Sequence, residues 1–216
     1  VFCIRGSEFR NWNVEKGKTA VPRKIKKASL ETRVLKQNDI LVEISGGGPD
    51  QPVGRTVYIE DIVFKNLGSK NIVCTNFLRL LRPVNQINSK YLSYFLSLFY
   101  STPEIVKYQS GSNNLRNLQF KEYLKINIPF SPLAEQQESV RQLDIMLAQV
   151  EQIKACLDAI PAILKKFRQS VLADAVSGKL TEEWRNKQKN LTNWISGELR
   201  DFVEKPIYGT SAKSSK

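Results

Sequence analysis

Through the first 130 residues, apolar positions come in short runs bounded by turn-forming residues; after that the period lengthens to that of a helix and holds to residue 178. Residues 39–44, Asp39-Ile40-Leu41-Val42-Glu43-Ile44, have the length and content of a buried strand, and 55–59 read as its neighbour. The segment between them, 45–54, holds Gly46, Gly47 and Gly48 in succession and predicts a loop. Residues 1–9 predict a short strand that turns polar at Arg5, Gly6 and Ser7, and 72–81 predict another strand. Residues 89–99 predict a helix capped by Ser89, with Tyr91, Tyr94, Phe95 and Phe99 as core residues. Residues 110–114 form a polar turn, 115–124 a short amphipathic element, and 125–130 a last strand leading into the long helix.

In that helix, Met146, Val150, Ile153, Leu157, Ile160, Leu164, Phe167 and Val171 recur at spacings alternating between 4 and 3. This is a heptad seam without a polar member. A second apolar strip, Leu147, Ala155, Cys156, Ala159, Ile163 and Leu172, lies beside it. Helical from Met146 to Val171, the seam would be about 39 Å long at the helical rise. That exceeds the width of a compact domain of this size, so we expect it to project and take a partner. Ser131 and Pro132, with Glu135 and Glu138 following, mark the start, and Gly178 marks the stop. Pro161 removes one backbone donor and predicts a kink near Ala159 and Ile160, not an end. The plainer reading is a core helix of an ordinary domain; the length and unbroken seam favour a spacer or dimerising helix.

Short strands separated by turns and followed by a helix predict an α+β fold, with a twisted, mostly antiparallel sheet and helices in 1–130 and a long helix in 131–178. The net charge of +12 changes this picture, because it is unevenly placed. Residues 1–130 carry +10 of it, 131–178 carry −1 and 179–216 carry +3. A basic block beside a neutral helix favours a polyanionic partner, nucleic acid first among them. No apolar run approaches the roughly 18–20 residues that cross a bilayer. Cys3, Cys74 and Cys156 are scattered, without metal or disulfide spacing, which fits a reducing cytoplasm. Val1 stands where an initiator methionine would, so we expect a piece of a longer protein.

Two segments are candidates for contact with a polyanion. The tract 16–27 concentrates Lys16, Lys18, Arg23, Lys24, Lys26 and Lys27 and reads either as a solvated loop or as a phosphate-contacting arm. The glycine run reads either as a flexible hairpin loop or as backbone that approaches another surface closely, such as a sugar-phosphate chain. Gly17-Lys18-Thr19 resembles the end of a P-loop, but Trp12 occupies the required upstream glycine position. Catalytic patterns are missing. The chain has no histidine, which excludes imidazole bases and Ser-His-Asp triads. Asn127-Ile128-Pro129-Phe130 lacks the first proline of the adenine-methyltransferase motif, and Pro49-Asp50 has no acidic residue followed two positions later by lysine to complete a metal-dependent nuclease set. The chain reads as non-catalytic.

The run from Ile128-Pro129-Phe130-Ser131-Pro132-Leu133 through the heptads to Ile160-Pro161-Ala162, Leu164-Lys165-Lys166-Phe167-Arg168-Gln169-Ser170-Val171-Leu172 and Ser177-Gly178-Lys179-Leu180-Thr181 resembles the specificity subunit of type I restriction-modification enzymes, over roughly 126–185. Ile4-Arg5-Gly6-Ser7-Glu8-Phe9, Asn38-Asp39-Ile40-Leu41-Val42 and the segment from Ser45 to Arg55 resemble one subtype of its target recognition domain. The resemblance implies a DNA target recognition domain over 1–130, a conserved spacer helix over 131–178, a connector over 179–205 and the opening of a second recognition domain over 206–216. It further implies that the full subunit has two recognition domains and two such helices. In this chain the helix would then pair with another copy as an antiparallel coiled coil.

On that resemblance the chain reads one half of a bipartite site in double-stranded DNA and docks methyltransferase and restriction (translocase) subunits. It needs no cofactor of its own, since S-adenosylmethionine, Mg and ATP would belong to the partners. The candidate DNA-contacting residues, placed by loop and charge, are Arg5, Ser7, Arg10, Lys18, Arg23, Lys24, Ser45, Gly47, Arg55, Ser112, Asn113 and Asn114. Arg5, Arg10 and Arg55 suit two-pronged pairing with guanine, and Asn113 or Asn114 with adenine. The alternatives are a coiled-coil adaptor whose basic domain binds protein, and a methyltransferase.

Overall fold

The structure is a computed structural model that describes residues 1–48, 51–111, 116–188 and 194–209. Its strands are β1 (Phe2–Ile4), β2 (Val21–Pro22), β3 (Ile40–Glu43), β4 (Ser45–Gly47), β5 (Thr56–Tyr58), β6 (Ile72–Cys74), β7 (Leu78–Leu81), β8 (Gln109–Ser110) and β9 (Arg116–Leu118). Its helices are α1 (Trp12–Glu15), α2 (Lys27–Arg33), α3 (Asp61–Leu67), α4 (Ser89–Ser101), α5 (Phe120–Tyr123), α6 (Leu133–Val176) and α7 (Glu182–Asn186). The architecture is α+β, as expected. The chain divides into two compact units, Val1–Ala148 and Gln149–Lys216, with the division inside α6.

The strands sort into three small sheets instead of one, ordered β2-β1-β6, β5-β3-β7 and β4-β9-β8. Pairing is antiparallel except between β1 and β6, which run parallel. β3 is buried along its whole length and separates two cores. Leu41 packs with Ile4, Phe9, Trp12, Ile59 and Ile72. Ile40 and Val42 face the other way, onto Val53, Leu96, Ile105, Leu118 and Tyr123. The two-residue period of a strand supplies both faces from one apolar run, which is why residues 39–44 carry so little polarity.

Four local readings change. The apolar run 72–81 breaks at Thr75 into β6 and β7 in different sheets, with Thr75 N–H donating to Ile4 O and Leu78 N–H to Thr75 O. Ser45–Gly47, expected as loop, pairs with β9. The cap of α4 is Asn88, whose Oδ1 accepts from the Lys90 and Tyr91 N–H groups; an Asx side chain meets the exposed donors of the first turn better than Ser89 would from within the helix. Residues 125–130 form no strand: Ile126 packs on the second core and Pro129 O accepts from the Tyr91 hydroxyl, so the segment lies along α4 and not in a ladder.

The long helix runs unbroken over 44 residues, through Pro161. Pro132 O accepts from Glu135 and Gln136 N–H at its start, and Gly178, at φ 76°, turns the chain after its last residue. Gln136 is fully buried near that start. Its Oε1 accepts from Asn88 N–H at 2.8 Å and its Nε2 donates to Ser131 O at 2.7 Å. Two turns on, Asp144 accepts from Lys90 Nζ at 2.8 Å and from the Tyr94 hydroxyl. Tyr91 and Tyr94, expected in the core, thus use their hydroxyls to hold the α6 segment and its lead-in, while Phe95 and Phe99 pack against the second core.

Candidate nucleic-acid interface

Two buried carboxylates, Asp39 just before β3 and Glu43 at its last position, are placed by strand register. The pairing of Val42 with Thr56 carried one residue further sets Glu43 opposite Arg55; that of Ile40 with Leu81 carried one residue back sets Asp39 opposite Arg82. Each acid takes the arginine fork two-pronged. Arg55 Nε and Nη2 donate to Glu43 Oε2 and Oε1 at 2.8 and 2.6 Å, and Arg82 Nε and Nη2 donate to Asp39 Oδ1 and Oδ2, both at 2.8 Å. The carboxylates push the arginines above their ordinary pKa, through the hydrogen bonds first in both cases. Such pairs fix geometry more than they add stability, because desolvation offsets the attraction.

Around Glu43 the ends of three strands meet. Past β1, Arg5 binds Glu8 through Nε at 3.0 Å and Nη2 at 2.5 Å, and Ser7 Oγ donates to the same carboxylate oxygen at 3.2 Å. Arg55 Nη2 also donates to Gly6 O at 3.1 Å, and its guanidinium lies over the Phe9 ring, 5.8 Å from the centroid. Past β6, Thr75 N–H bonds Ile4 O, and Ile44 N–H bonds Phe77 O at 2.8 Å. Ser45 pairs in register with Asn117, which also faces Ser110. The exposed side chains on this rim include Ser7, Arg10, Asn76, Phe77, Ser110 and Asn117.

The expected contact residues therefore fall into groups. Arg5, Ser7, Arg10, Ser45, Gly47 and Arg55 lie on segments that meet at this rim. Ser7 and Arg10 are exposed, Arg5 and Ser45 are half-buried, and Gly47 is buried. A Cβ on Gly47 would lie 2.8 Å from Val53 N and 2.9 Å from Gln51 O, so the backbone that the glycine run approaches is this chain's own. Arg23 and Lys24 follow β2 at the opposite end of β1, where Val1 and Arg23 exchange two hydrogen bonds. Lys18 stands in the turn after α1. Among the described residues the side chains of Arg10, Lys18, Arg23 and Lys24 are exposed and take part in no ion pair. The tract 16–27 is not uniformly loop, since it contains β2 and the first residue of α2, and Lys16 is paired with Glu60 at 2.5 Å. Ser112, Asn113 and Asn114 lie outside the described residues, between β8 and β9.

Seven of the eight seam residues are at least 43% exposed, Phe167 reaching 65%, with Val171 at 36%; the neighbouring Ile163 and Leu172 are at 60% and 59%. Sequence reasoning missed Glu8, Glu43, Asp39 and Gln136, the buried polar residues of the first unit. The hairpin register was the available signal for Glu43, because opposite charges facing each other across paired strands stabilise a sheet. Burial, followed by neighbouring Cys3, pushes the Cys74 thiol up to about 11, so it stays protonated as a packing residue. Among the described residues no group of three His, Cys, Asp or Glu is placed to hold a metal, and no helix is long and apolar enough to cross a membrane.

The first unit thus carries exposed cations outside its ion pairs, and α6 carries an exposed apolar seam. Residues 18–162 match the family described as the type I restriction modification DNA specificity domain, and the chain belongs to that family. It is 35% identical over 181 residues to the type I restriction enzyme EcoKI specificity subunit of Escherichia coli (strain K12), covering 81% of this chain and 36% of that subunit. It is 34% identical over 198 residues to the StySPI specificity subunit of Salmonella potsdam, covering 88% and 40%. With the EcoBI specificity subunit of Escherichia coli it shares 37% over 188 residues, covering 84% and 37%. The chain thus spans well under half the length of these relatives.

Proposed function

We propose that this chain reads one half of a bipartite site in double-stranded DNA as part of a type I restriction-modification system. The observation that carries the reading is the match of 18–162 to a DNA specificity domain, laid over the segment that holds +10 of the net charge. Arg10, Lys18, Arg23 and Lys24 grip phosphates or reach base edges, Ser112, Asn113 and Asn114 read bases, and α6 sets the distance to the other half-site. The seam from Met146 to Val171 pairs with a second helix, supplied in this chain by another copy running antiparallel. Methyltransferase and restriction subunits dock on the assembly in the cytoplasm. They bring S-adenosylmethionine, Mg and ATP, and this chain does no chemistry itself.

The test is selection from a pool of random duplexes by the purified chain, alone and with the methyltransferase subunits of the same system, followed by titration at several salt concentrations. The expected result is enrichment of a defined half-site. Lys24→Ala should weaken binding to every duplex and reduce the salt slope by about 0.9, the value for one phosphate contact. A chain that shows no preference for duplex DNA in either state is instead a coiled-coil adaptor with a protein-binding basic domain.

A further inference from the structure

We infer that Glu43 and Arg55 form a positioning clamp that sets sequence discrimination without touching DNA, an inference that rests on the DNA-reading function proposed above. Arg55 has its fork closed on Glu43, at 2.8 and 2.6 Å, and Nη2 donates in addition to Gly6 O at 3.1 Å. The side chain of Glu43 is 3% exposed and that of Arg55 21%. Reading a guanine edge takes two parallel donors facing outward. In Arg55 the parallel pair faces inward.

The position of the clamp explains its role. Glu43 Oε1 lies 3.1 Å from where a Cβ on Gly6 would stand and 3.6 Å from one on Gly46. One carboxylate therefore sits at the junction of two segments far apart in sequence. The first is the turn 5–11, which carries exposed Ser7 and Arg10; the second is β4, which carries Ser45. Arg55 ties the first to the second through Gly6 O and Glu43. Residues that read bases must be held to within roughly 0.5 Å, and readers on short turns depend on such supporting bonds for that precision.

Glu43→Gln separates a clamp from a contact because the two predict different outcomes on unrelated duplex. If Arg55 touched DNA, removing the neighbouring carboxylate would release positive charge and raise affinity for all duplexes. A clamp that loses its carboxylate loosens both segments while every phosphate-facing cation stays in place. Enrichment of the preferred half-site from the random duplex pool should then fall about tenfold, the discrimination of one base pair. Affinity for unrelated duplex and the salt slope should stay at wild-type values. Arg55→Lys, which keeps the charge and loses the fork, should behave like Glu43→Gln.

Gly6→Ala crowds Glu43 Oε1 without altering charge and should lower enrichment in the same direction by a smaller factor. It decides the matter alone if Glu43→Gln does not retain the wild-type thermal melt. Wild-type enrichment in the folded variants, or an equal loss on preferred and unrelated duplexes, overturns the clamp and leaves the DNA reading standing. A wild-type chain that enriches no sequence, alone or with its methyltransferase subunits, overturns both.

Discussion

β3 and the seam of α6 are both apolar runs, and they end in opposite surroundings. Ile40, Leu41 and Val42 are fully buried between two cores, whereas Leu157, Leu164 and Phe167 are 59%, 59% and 65% exposed. Periodicity fixes which face of an element is apolar, but what covers that face depends on partners in the fold. In β3 both faces are covered from within Val1–Ala148, by α3 and α4 residues and the flanking strands. A heptad seam has the same driving force of roughly 1.5–3 kcal/mol per large side chain buried, and in α6 that gain is still available to a second molecule.

The sharpest way to break this comparison is to substitute residues of each kind. Leu41→Ala should lower the unfolding free energy by about 2–5 kcal/mol, at every protein concentration, because the cavity opens inside the molecule. The pair Leu157→Asp and Leu164→Asp should leave the stability of the first unit unchanged and abolish self-association, read by sedimentation equilibrium against the wild-type chain. A monomeric wild type, or a first unit destabilised by the seam variant, would show that the exposed seam is not an interface between copies.

A smaller effect tests how α6 is held where it is covered. Gln136 offers the one fully buried polar side chain near the helix start, with both ends of its amide bonded. Gln136→Ala leaves the Asn88 N–H without its acceptor beside the capped start of α4 and should cost about 1–3 kcal/mol in urea unfolding. Gln136→Leu, which fills the volume but leaves the same donor unpaired, should not recover that loss. Full recovery in the leucine variant would mean that packing alone holds the two helices.

Much of this was legible, and the exceptions have physical causes. The hairpin of β3 and β5, the start and stop of α6 and its seam follow from local chemistry: apolar runs of strand length, Pro132 at the start and Gly178 with its positive φ at the end. β4 was not legible because strand propensity argues against three glycines, and the need for glycine at 47 arises only when Val53 and Gln51 fold against it. The strand read at 125–130 has suitable residues but no ladder partner, and a strand exists only by pairing. Among the candidate site residues, exposure of Ser7, Arg10 and Lys24 follows from polarity, whereas the inward turn of Arg55 depends on a buried acid twelve positions earlier. A charge pattern locates cations without revealing which are already paired.

The smallest expected effect concerns acid, and it distinguishes the two anchors of α6 within the first unit. Partial burial pushes the Asp144 carboxyl up, but hydrogen bonds from Lys90 and from the Tyr94 hydroxyl outweigh it, so its pKa lies below the ordinary value. A carboxyl with a depressed folded pKa contributes stability that is present above its unfolded value, about 3.9, and is lost as pH falls through the folded one. Tyr94 is displaced upward, by burial first and then by Asp144, so its contribution is complete below its unfolded value and fades only on the alkaline side. Asp144→Asn keeps one oxygen to accept from Lys90 Nζ, lets its amide N–H donate to the Tyr94 hydroxyl oxygen and removes the titrating charge. Urea midpoints of the wild type should therefore drop more steeply than those of Asp144→Asn on acidification below about pH 4, while Gln136, which does not titrate, keeps its grip in both proteins. Parallel curves would assign the acid sensitivity of the first unit to carboxylates other than Asp144.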